Sequence, residues 1–449
     1  MSNLIARFLE SGVALHRLGK LDEAEPIYHS VLNLDPSNPT VLYLLGDVAV
    51  RRGNNGLAIN LLTNSVKFEP TQSAYMNLGC ALKAEHFNDQ AKEAWEKALE
   101  FGESDEIYSN LATLYADSFE AEKALSLCEK ALALNPENHH AHWNRALALL
   151  TLQDWGPAWA EHEWRAKLSD QKGIGKRHYG LPVWQGQHGA KVIVHGEQGI
   201  GDELMFLSCL PDVLARGCEV ALECEPRLMN IVERSFPGVR AYANEEALKA
   251  HEQGFEYVIA LGSLPRLFRQ TNAAFPAHTG YLKADPERVA HWRTVLDDYR
   301  QPGLPIIGLS WIGGTKTTRV QHRSLMPKDM PFLQGQTAVS LQYGEHAEQT
   351  AHANQILYFH ELNGQDIDEQ AAMVEACDLI ITVCQTLVHL CGALGKPCYV
   401  LTPKLSSWRY GRGEFMPWYP SVRLLRQEEP GDWSGPVAAA KDIIESWGK

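Results

Sequence analysis

The feature that most constrains this chain is a period of 34 residues in its first third. The stretch "ESGVALHRLGKLDEAEPIYHSVLNLDP" (10–36) aligns with "LLGDVAVRRGNNGLAINLLTNSVKFEP" (44–70), so that Gly12 and Gly46, Ala24 and Ala58, and Pro36 and Pro70 recur 34 apart. The pattern returns in "NLGCALKAEHFNDQAKEAWEKAL" (77–99) and "NLATLYADSFEAEKALSLCEKALALNP" (110–136). A fifth copy begins at "NRALALLTLQDWGPAWAEHEW" (144–164) and then dissolves. Each copy reads as two amphipathic helices. Small residues stand where the two helices cross closely: Gly12 with Ala24, Gly46 with Ala58, Gly79 with Ala91, Ala112 with Ala124. Bulky Tyr28, Leu62 and Trp95 fill the gaps between them. A proline after the second helix stops it. One such unit cannot bury its own apolar face, so the copies must stack into a curved solenoid with a concave groove.

The period and the small-residue pattern resemble the tetratricopeptide repeat. The resemblance implies a protein or peptide held in the groove. Asn77, Asn110 and Asn144 fall at the same place on the first helix of their repeats. A row of amides, each with a donor and an acceptor, could grip a peptide backbone, and the repeat region of O-GlcNAc transferases is similar. Glu10 and Leu44 break the row in the first two copies. The plainer reading is that asparagine is simply common at that position of the repeat.

A chain of 449 residues suggests two or three domains. Its 45% hydrophobic and 21% charged residues are those of an ordinary soluble globular protein. The formal net charge of -14 argues against a general nucleic-acid binder. A local basic cleft for a phosphate stays open. No apolar run reaches the roughly 18–20 residues needed for a transmembrane segment, and "MSNLIARFLESG" does not read as a secretory signal. The nine cysteines are scattered without a CxxC pair, and the spacing of seven among Cys377, Cys384, Cys391 and Cys398 reads as accidental. A reducing, cytoplasmic location is the expectation.

From about residue 185 the periodicity changes. Candidate strands are 191–195, 219–223, 257–260, 306–310, 338–342, 356–359, 379–383 and 398–402, alternating with helical stretches. Such alternation implies parallel sheets covered on both faces. The strands form two clusters, separated by the helix "DPERVAHWRTVLDDYR" (285–300) and "QPGLP" (301–305). The expected fold is therefore α + α/β: an α-solenoid over 1–170, a first doubly wound half over 185–284, a second over 301–430, and a C-terminal helix over 431–449 that crosses back to the first half. Ligands of such sheets bind beyond the carboxyl ends of the strands.

Between the strand "KVIVH" (191–195) and the next helix lies "GEQGIGDELMF" (196–206). The glycine order, Gly196, Gly199, Gly201, is GxxGxG rather than the dinucleotide fingerprint GxGxxG. Glu223 does end the following strand, where a ribose-binding acid would stand, so a dehydrogenase is an alternative. No GK[ST] follows, so it is not a Walker loop. The loop and "VALECEPRLMNIVERSFPGV" resemble the first half of GT-B glycosyltransferases of the heptosyltransferase type. "GLSWIGG" (308–314), "HRSL" (322–325), "SLQYG" (340–344) and above all "DLIITVCQTLVHLCGALGKP" (378–397) resemble its second half. "WRYGRGEFMPWYPSVRLLRQ" (408–427) resembles the tail of a subgroup in which this domain is fused to tetratricopeptide repeats.

The resemblance implies roles. A hydroxyl is a weak nucleophile and needs a base; Asp202 matches the family's catalytic acid, with Glu203 a weaker candidate. The competing reading makes Asp202 a cap of the following helix. The resemblance places the nucleotide-sugar donor on Gln198, Gly199, Gly201, Trp311, Gly313, Arg323, Ser324, Gln342, Gln385, Thr386 and His389. A helix start at 385–386 would offer N–H groups to phosphate. His389 would donate one turn further in, with a core-packed imidazole as its alternative. Arg323 would pair with phosphate oxygens. Cys384 departs from relatives that carry an acid there, which bears on the donor contact or on activity itself. In the tail, Trp408, Arg409, Tyr410, Trp418 and Tyr419 could stack on a base or sugar, or pack the segment down.

No metal is expected. "DID" (366–368) with Glu369 fits a capping box better than a metal site, and His346, His352 and His360 lack zinc spacing. The expected function is inverting sugar transfer from a nucleotide sugar to a hydroxyl. No cofactor beyond that donor is expected, nor a nucleic-acid partner. A protein acceptor on the repeat groove is the first choice, flagellin-like or another surface protein by analogy with fused relatives, and a saccharide the second. The alternative is a protein-binding scaffold with a degenerate, non-catalytic nucleotide-binding domain.

Overall fold

The structure, a computed structural model, describes residues 2–447 except 169–176, 178, 252, 315–319, 345, 363 and 365. The expected solenoid end at 169–170 and the last two residues of the expected C-terminal helix lie outside the described residues. The chain divides into two compact units, Met1–Ala148 and Leu149–Lys449.

The first unit is a run of helix pairs: α1 (Ser2–Arg17) with α2 (Leu21–Leu34), α3 (Pro39–Arg51) with α4 (Asn55–Phe68), α5 (Gln72–Ala84) with α6 (Asn88–Leu99), and α7 (Asp105–Asp117) with α8 (Ala121–Leu134). The unit ends within α9 (His139–Leu152). Asn38, Thr71 and Ser104 start the first helices of three pairs, accepting from the N–H groups of Val41, Ala74 and Ile107. The glycine and the bulky residue of each pair meet directly. A Cβ on Gly12 would lie 2.6 Å from the Tyr28 ring, one on Gly46 2.6 Å from Leu62, and one on Gly79 overlaps the Trp95 indole. Trp95 is buried and donates its Nε1–H to the Met76 carbonyl at 3.0 Å. Gly79→Ala should therefore break that hydrogen bond and overpack the crossing. Against about 1 kcal/mol gained in helix propensity, a net loss of about 1–3 kcal/mol is expected in chemical unfolding.

The second unit begins on the remnant of the fifth copy. Helix α10 (Trp155–His162) buries Trp155 and Trp159. Trp159 donates to the Arg269 carbonyl at 2.9 Å and meets Trp408, Trp418 and Phe206 edge-on. Trp155 donates to Asn272 at 2.7 Å. The repeat pattern dissolves here because the tryptophans pack into the core of the second unit instead of against another repeat.

Two sheets follow. The first has the order β3-β2-β1-β4 and is all parallel, built from β1 (Lys191–His195), β2 (Glu219–Glu223), β3 (Arg240–Tyr242) and β4 (Tyr257–Ala260). The second has the order β6-β5-β7-β8-β10-β9, from β5 (Ile306–Leu309), β6 (Thr337–Ser340), β7 (Leu379–Val383), β8 (Cys398–Thr402), β9 (Phe415–Met416) and β10 (Tyr419–Arg426). All its pairings are parallel except β9 with β10. The segment 356–359 is not a strand: Leu357 makes a single bridge to Val339. Conversely β10 arises from what reads as a tail. The C-terminal helix Ser434–Glu445 packs on β8 and β10, with Ala440 and Ile444 in one core with Ile307, Leu309 and Val383. It does not cross back to the first sheet, because its buried stripe is spent on the second. The sheets are linked by a tight crossing: Tyr281 and Leu282 N–H donate to the Ala393 carbonyl at 2.7 and 2.9 Å, and Gly395, at φ 76°, leaves no room for a Cβ against Thr279.

Candidate functional site

Helix α11 (Ile200–Phe206) starts the segment after β1, and its N-cap is Gly199. Asp202 is the third residue of the helix, and its carboxylate accepts from the Arg409 guanidinium, Nε to Oδ1, at 2.5 Å. The cap reading of Asp202 is thereby corrected: the helix is capped three residues earlier, and the side chain faces another loop. Arg409 also donates to Ser407 at 3.0 Å and to the Gln198 amide oxygen at 3.5 Å, and its guanidinium lies 4.7 Å from the Trp408 ring centre. Gln198 is held at φ 66°, in the left-handed region that non-glycine residues rarely enter. Its buried Nε2 has no partner among the described residues.

Facing this loop is the helix Thr386–Leu394, which follows β7. A Cβ on Gly201 would lie 3.3 Å from the His389 ring and 3.5 Å from the Thr386 hydroxyl. The carboxyl ends of the two sheets thus meet at the glycine loop, where Gly201 comes close to His389 and Thr386. Gln198, Gly199, Gly201, Asp202, Arg323, Thr386 and Arg409 remain partly or fully exposed around the contact. Asp202, Arg409 and Arg323 all act electrostatically on His389.

Several expected donor contacts are corrected. His389 is buried, with Nδ1 3.3 Å from the Tyr419 hydroxyl, and burial lowers it to about 4, so the ring is neutral at pH 7 and packed inward. Gln385 also turns inward. Its Nε2 donates to Ser310 and, at 3.1 Å, to Thr382, leaving a buried Oε1 with no partner among the described residues. Gln342 is a bracket for the β5 exit: its Oε1 accepts from Ser310 Oγ, Trp311 N and Ile312 N at 2.7, 3.1 and 2.8 Å. Trp311 is fully buried in the second core. Ser324 accepts from Gly313 N at 3.1 Å and donates to the Val320 carbonyl at 2.7 Å. Gly313 is needed for close approach, since a Cβ there would sit 2.6 Å from the Cys384 carbonyl. That same carbonyl accepts from Arg323 at 2.7 Å. The Cys384 thiol is buried and pushed up to about 11 by burial, so it is a packing thiol and not a nucleophile.

The row of groove amides is corrected too. Asn77 donates to Asp47 at 2.8 Å, Asn110 reaches the Cys80 sulfur at 3.8 Å, and Asn144 donates to the Ser109 carbonyl at 3.0 Å and Thr113 at 2.9 Å. Asn77 and Asn144 are buried. These amides tie one repeat to the previous one. Asp366 caps its helix, accepting from Asp368 and Glu369 N–H at 2.8 and 3.1 Å. No cluster of metal-ligating side chains occurs among the described residues.

A cavity of about 430 Å³, lined among others by Arg165, Arg177, Tyr179, His195, Glu197 and Ser263, opens beyond β1 and β4. Arg165 is fixed there by Glu197 at 2.7 Å, Glu163 at 2.9 Å and Ser263 at 2.8 Å. Glu223 accepts from Arg177 at 2.9 Å and from the Tyr179 hydroxyl at 2.6 Å. Its carboxylate is thus occupied, which removes the ribose contact that a dehydrogenase would need.

The family profile described as "Tetratricopeptide repeat" matches residues 9–70 and 109–158. The first unit is a tetratricopeptide-repeat solenoid. Over nearly the whole chain the sequence is similar to Protein FlbA of Caulobacter vibrioides, 29% identical over 502 residues that span 95% of this chain and 82% of that protein. Among solved structures it is similar to MamA (25% identical, TM-score 0.33, 38% of this chain and 97% of that one). It is also similar to YrrB, described as a TPR protein with an unusual peptide-binding site (18% identical, TM-score 0.32, 37% and 86%). A third is PilF of Pseudomonas aeruginosa (15% identical, TM-score 0.36, 56% and 99%). No helix among the described residues is long and apolar enough to cross a membrane.

Proposed function

We propose that the repeats bind a protein partner and that the two-sheet unit is a GT-B-type glycosyltransferase acting on a nucleotide sugar, with that partner as acceptor. The observation that carries the reading is the meeting of two carboxyl sheet ends, with Asp202, Arg409, Gln198, Arg323 and Thr386 grouped around one helix start. Arginines beside a helix start suit a diphosphate. In the proposed step the acceptor oxygen bonds to the anomeric carbon as that carbon's bond to the phosphate oxygen breaks. The proton passes to the Asp202 carboxylate and the electron pair leaves on the phosphate. No metal is required, because the guanidinium groups offset the leaving charge.

The test is a thermal-shift panel of UDP-, GDP-, ADP- and CMP-sugars on the full chain. A ligand at 100 times its Kd adds about 2.7 kcal/mol of stability. Asp202→Asn should lower transfer about 100-fold or more without weakening that stabilisation. Absence of a shift with every nucleotide would leave the repeats as a protein-binding scaffold and end the transferase reading.

A further inference from the structure

We infer that Arg409 is the residue that receives the anionic part of the ligand, and that Asp202 competes with that anion for it. The inference rests on the nucleotide-binding reading above. Its physical basis is the Asp202–Arg409 pair itself, made between the first turn of α11 and the segment after β8, with side chains still 18% and 24% exposed. A guanidinium held in a planar fork binds either a carboxylate or a phosphate through the same N–H edge, not both at once. While Arg409 is on Asp202, the Nε–H of the guanidinium is taken by the carboxylate. An anion seated at the start of the Thr386–Leu394 helix offers Arg409 a second partner and releases Asp202. Ligand binding is then ordered, the anion first.

One buried amide atom lies at the same place without a partner among the described residues: Gln198 Nε2, on the residue whose oxygen Arg409 touches. A buried amide atom left unpaired calls for a partner, and a ligand held by Arg409 would lie beside this one. The left-handed backbone of Gln198 is strain of the kind that gathers at ligand clamps.

The test measures affinity for UDP, GDP, ADP and inorganic pyrophosphate by calorimetric titration of the full chain at low salt. Asp202→Ala should bind the preferred diphosphate about fivefold tighter than the natural chain, the gain expected from freeing a partly exposed ion pair. Arg409→Ala should bind it about 10–100-fold more weakly, the loss expected for charge-assisted bonds to phosphate. The double variant should match Arg409→Ala alone. If Arg409→Ala does not fold, Arg409→Lys keeps the charge without the fork and should fall between. Binding by the natural chain with no gain in Asp202→Ala, or with no loss on changing Arg409, overturns the inference and leaves the nucleotide reading standing. Absence of binding by the natural chain and by Asp202→Ala alike overturns both.

Discussion

Arg165→Met is expected to cost the second unit about 3–5 kcal/mol of stability, the loss seen when one partner of a buried ion pair is removed. Arg165 is 2% exposed and Glu197 5% exposed. The guanidinium places Nε and Nη2 on Glu197, Nη1 on Glu163 and the His162 carbonyl, and Nη2 on Ser263. Methionine fills the space of the stem but leaves the Glu197 carboxylate buried and unpaired. Glu163 is 36% exposed and can turn to water, so Glu197 carries the penalty. The double change Arg165→Met with Glu197→Leu should recover most of the loss, because an apolar pair of similar volume no longer buries a lone charge. Urea unfolding followed by tryptophan fluorescence reads both, since Trp155 and Trp159 sit in this unit's core. A loss below about 1 kcal/mol in the single variant would mean that water reaches Glu197 and that the pair is not a closed one.

The solenoid is legible in the sequence because its rule is local. A glycine opposite Tyr28, Leu62 or Trp95 shows as a fixed spacing along the chain, and in the fold each of these pairs is in contact. Most of the expected strands are legible for the same reason: they are short apolar runs bounded by turn residues, and they form at 191–195, 219–223, 257–260, 306–309, 337–340, 379–383 and 398–402. The run at 356–359 has the right composition and lies beside β6, where Leu357 donates to the Ala338 carbonyl at 2.9 Å and accepts from Ser340 N–H at 2.8 Å, but the pairing stops at that one bridge. β10 is hidden because its strand "YPSVRLLR" follows a loop rich in glycine and aromatic residues, which reads as a surface tail. What orders that segment is tertiary: the Arg426 guanidinium donates to the carbonyls of Gly413, Tyr410 and Gly411.

The candidate site is less legible, since sequence gives residue types and not directions. The glycine loop and the 386–394 helix do come together, yet His389, Gln385, Gln342 and Trp311 all point into the core. Hydrogen-bonding side chains near a helix start look alike in sequence whether they serve a ligand or bracket a neighbouring loop. Arg409 is visible only as one member of an aromatic stretch. Its partner is 207 residues away in the chain, a pairing that no local pattern records. Glu197 and Arg165 escape notice for a related reason: each stands in a segment whose neighbours dominate the pattern, the glycine loop and the dissolving repeat.

Glu203, directly after Asp202, should give the second unit a pH-dependent stability that Glu203→Gln removes. Its carboxyl is buried against Gly196 and accepts the Glu225 N–H at 2.8 Å. Burial, assisted by the nearby Glu225 and Glu223 carboxylates and opposed by that N–H and by Arg177, raises it from 4.5 to about 7. The folded chain therefore holds this proton more tightly than the unfolded chain. Below pH 4.5 both states are protonated and the group contributes nothing to the balance. Between 4.5 and 7 the unfolded state releases the proton first, so stability falls as pH rises; above 7 the full cost of a buried carboxylate is present, about 3 kcal/mol. Glutamine keeps an acceptor for Glu225 and carries no charge at any of these pH values. The natural chain and Glu203→Gln should unfold at the same urea concentration near pH 4, diverge through pH 5 and 6, and differ by about 3 kcal/mol at pH 8, with the variant the more stable. Parallel curves across this range would mean that Glu203 is ionised throughout, its charge met by Arg177 and the Glu225 N–H.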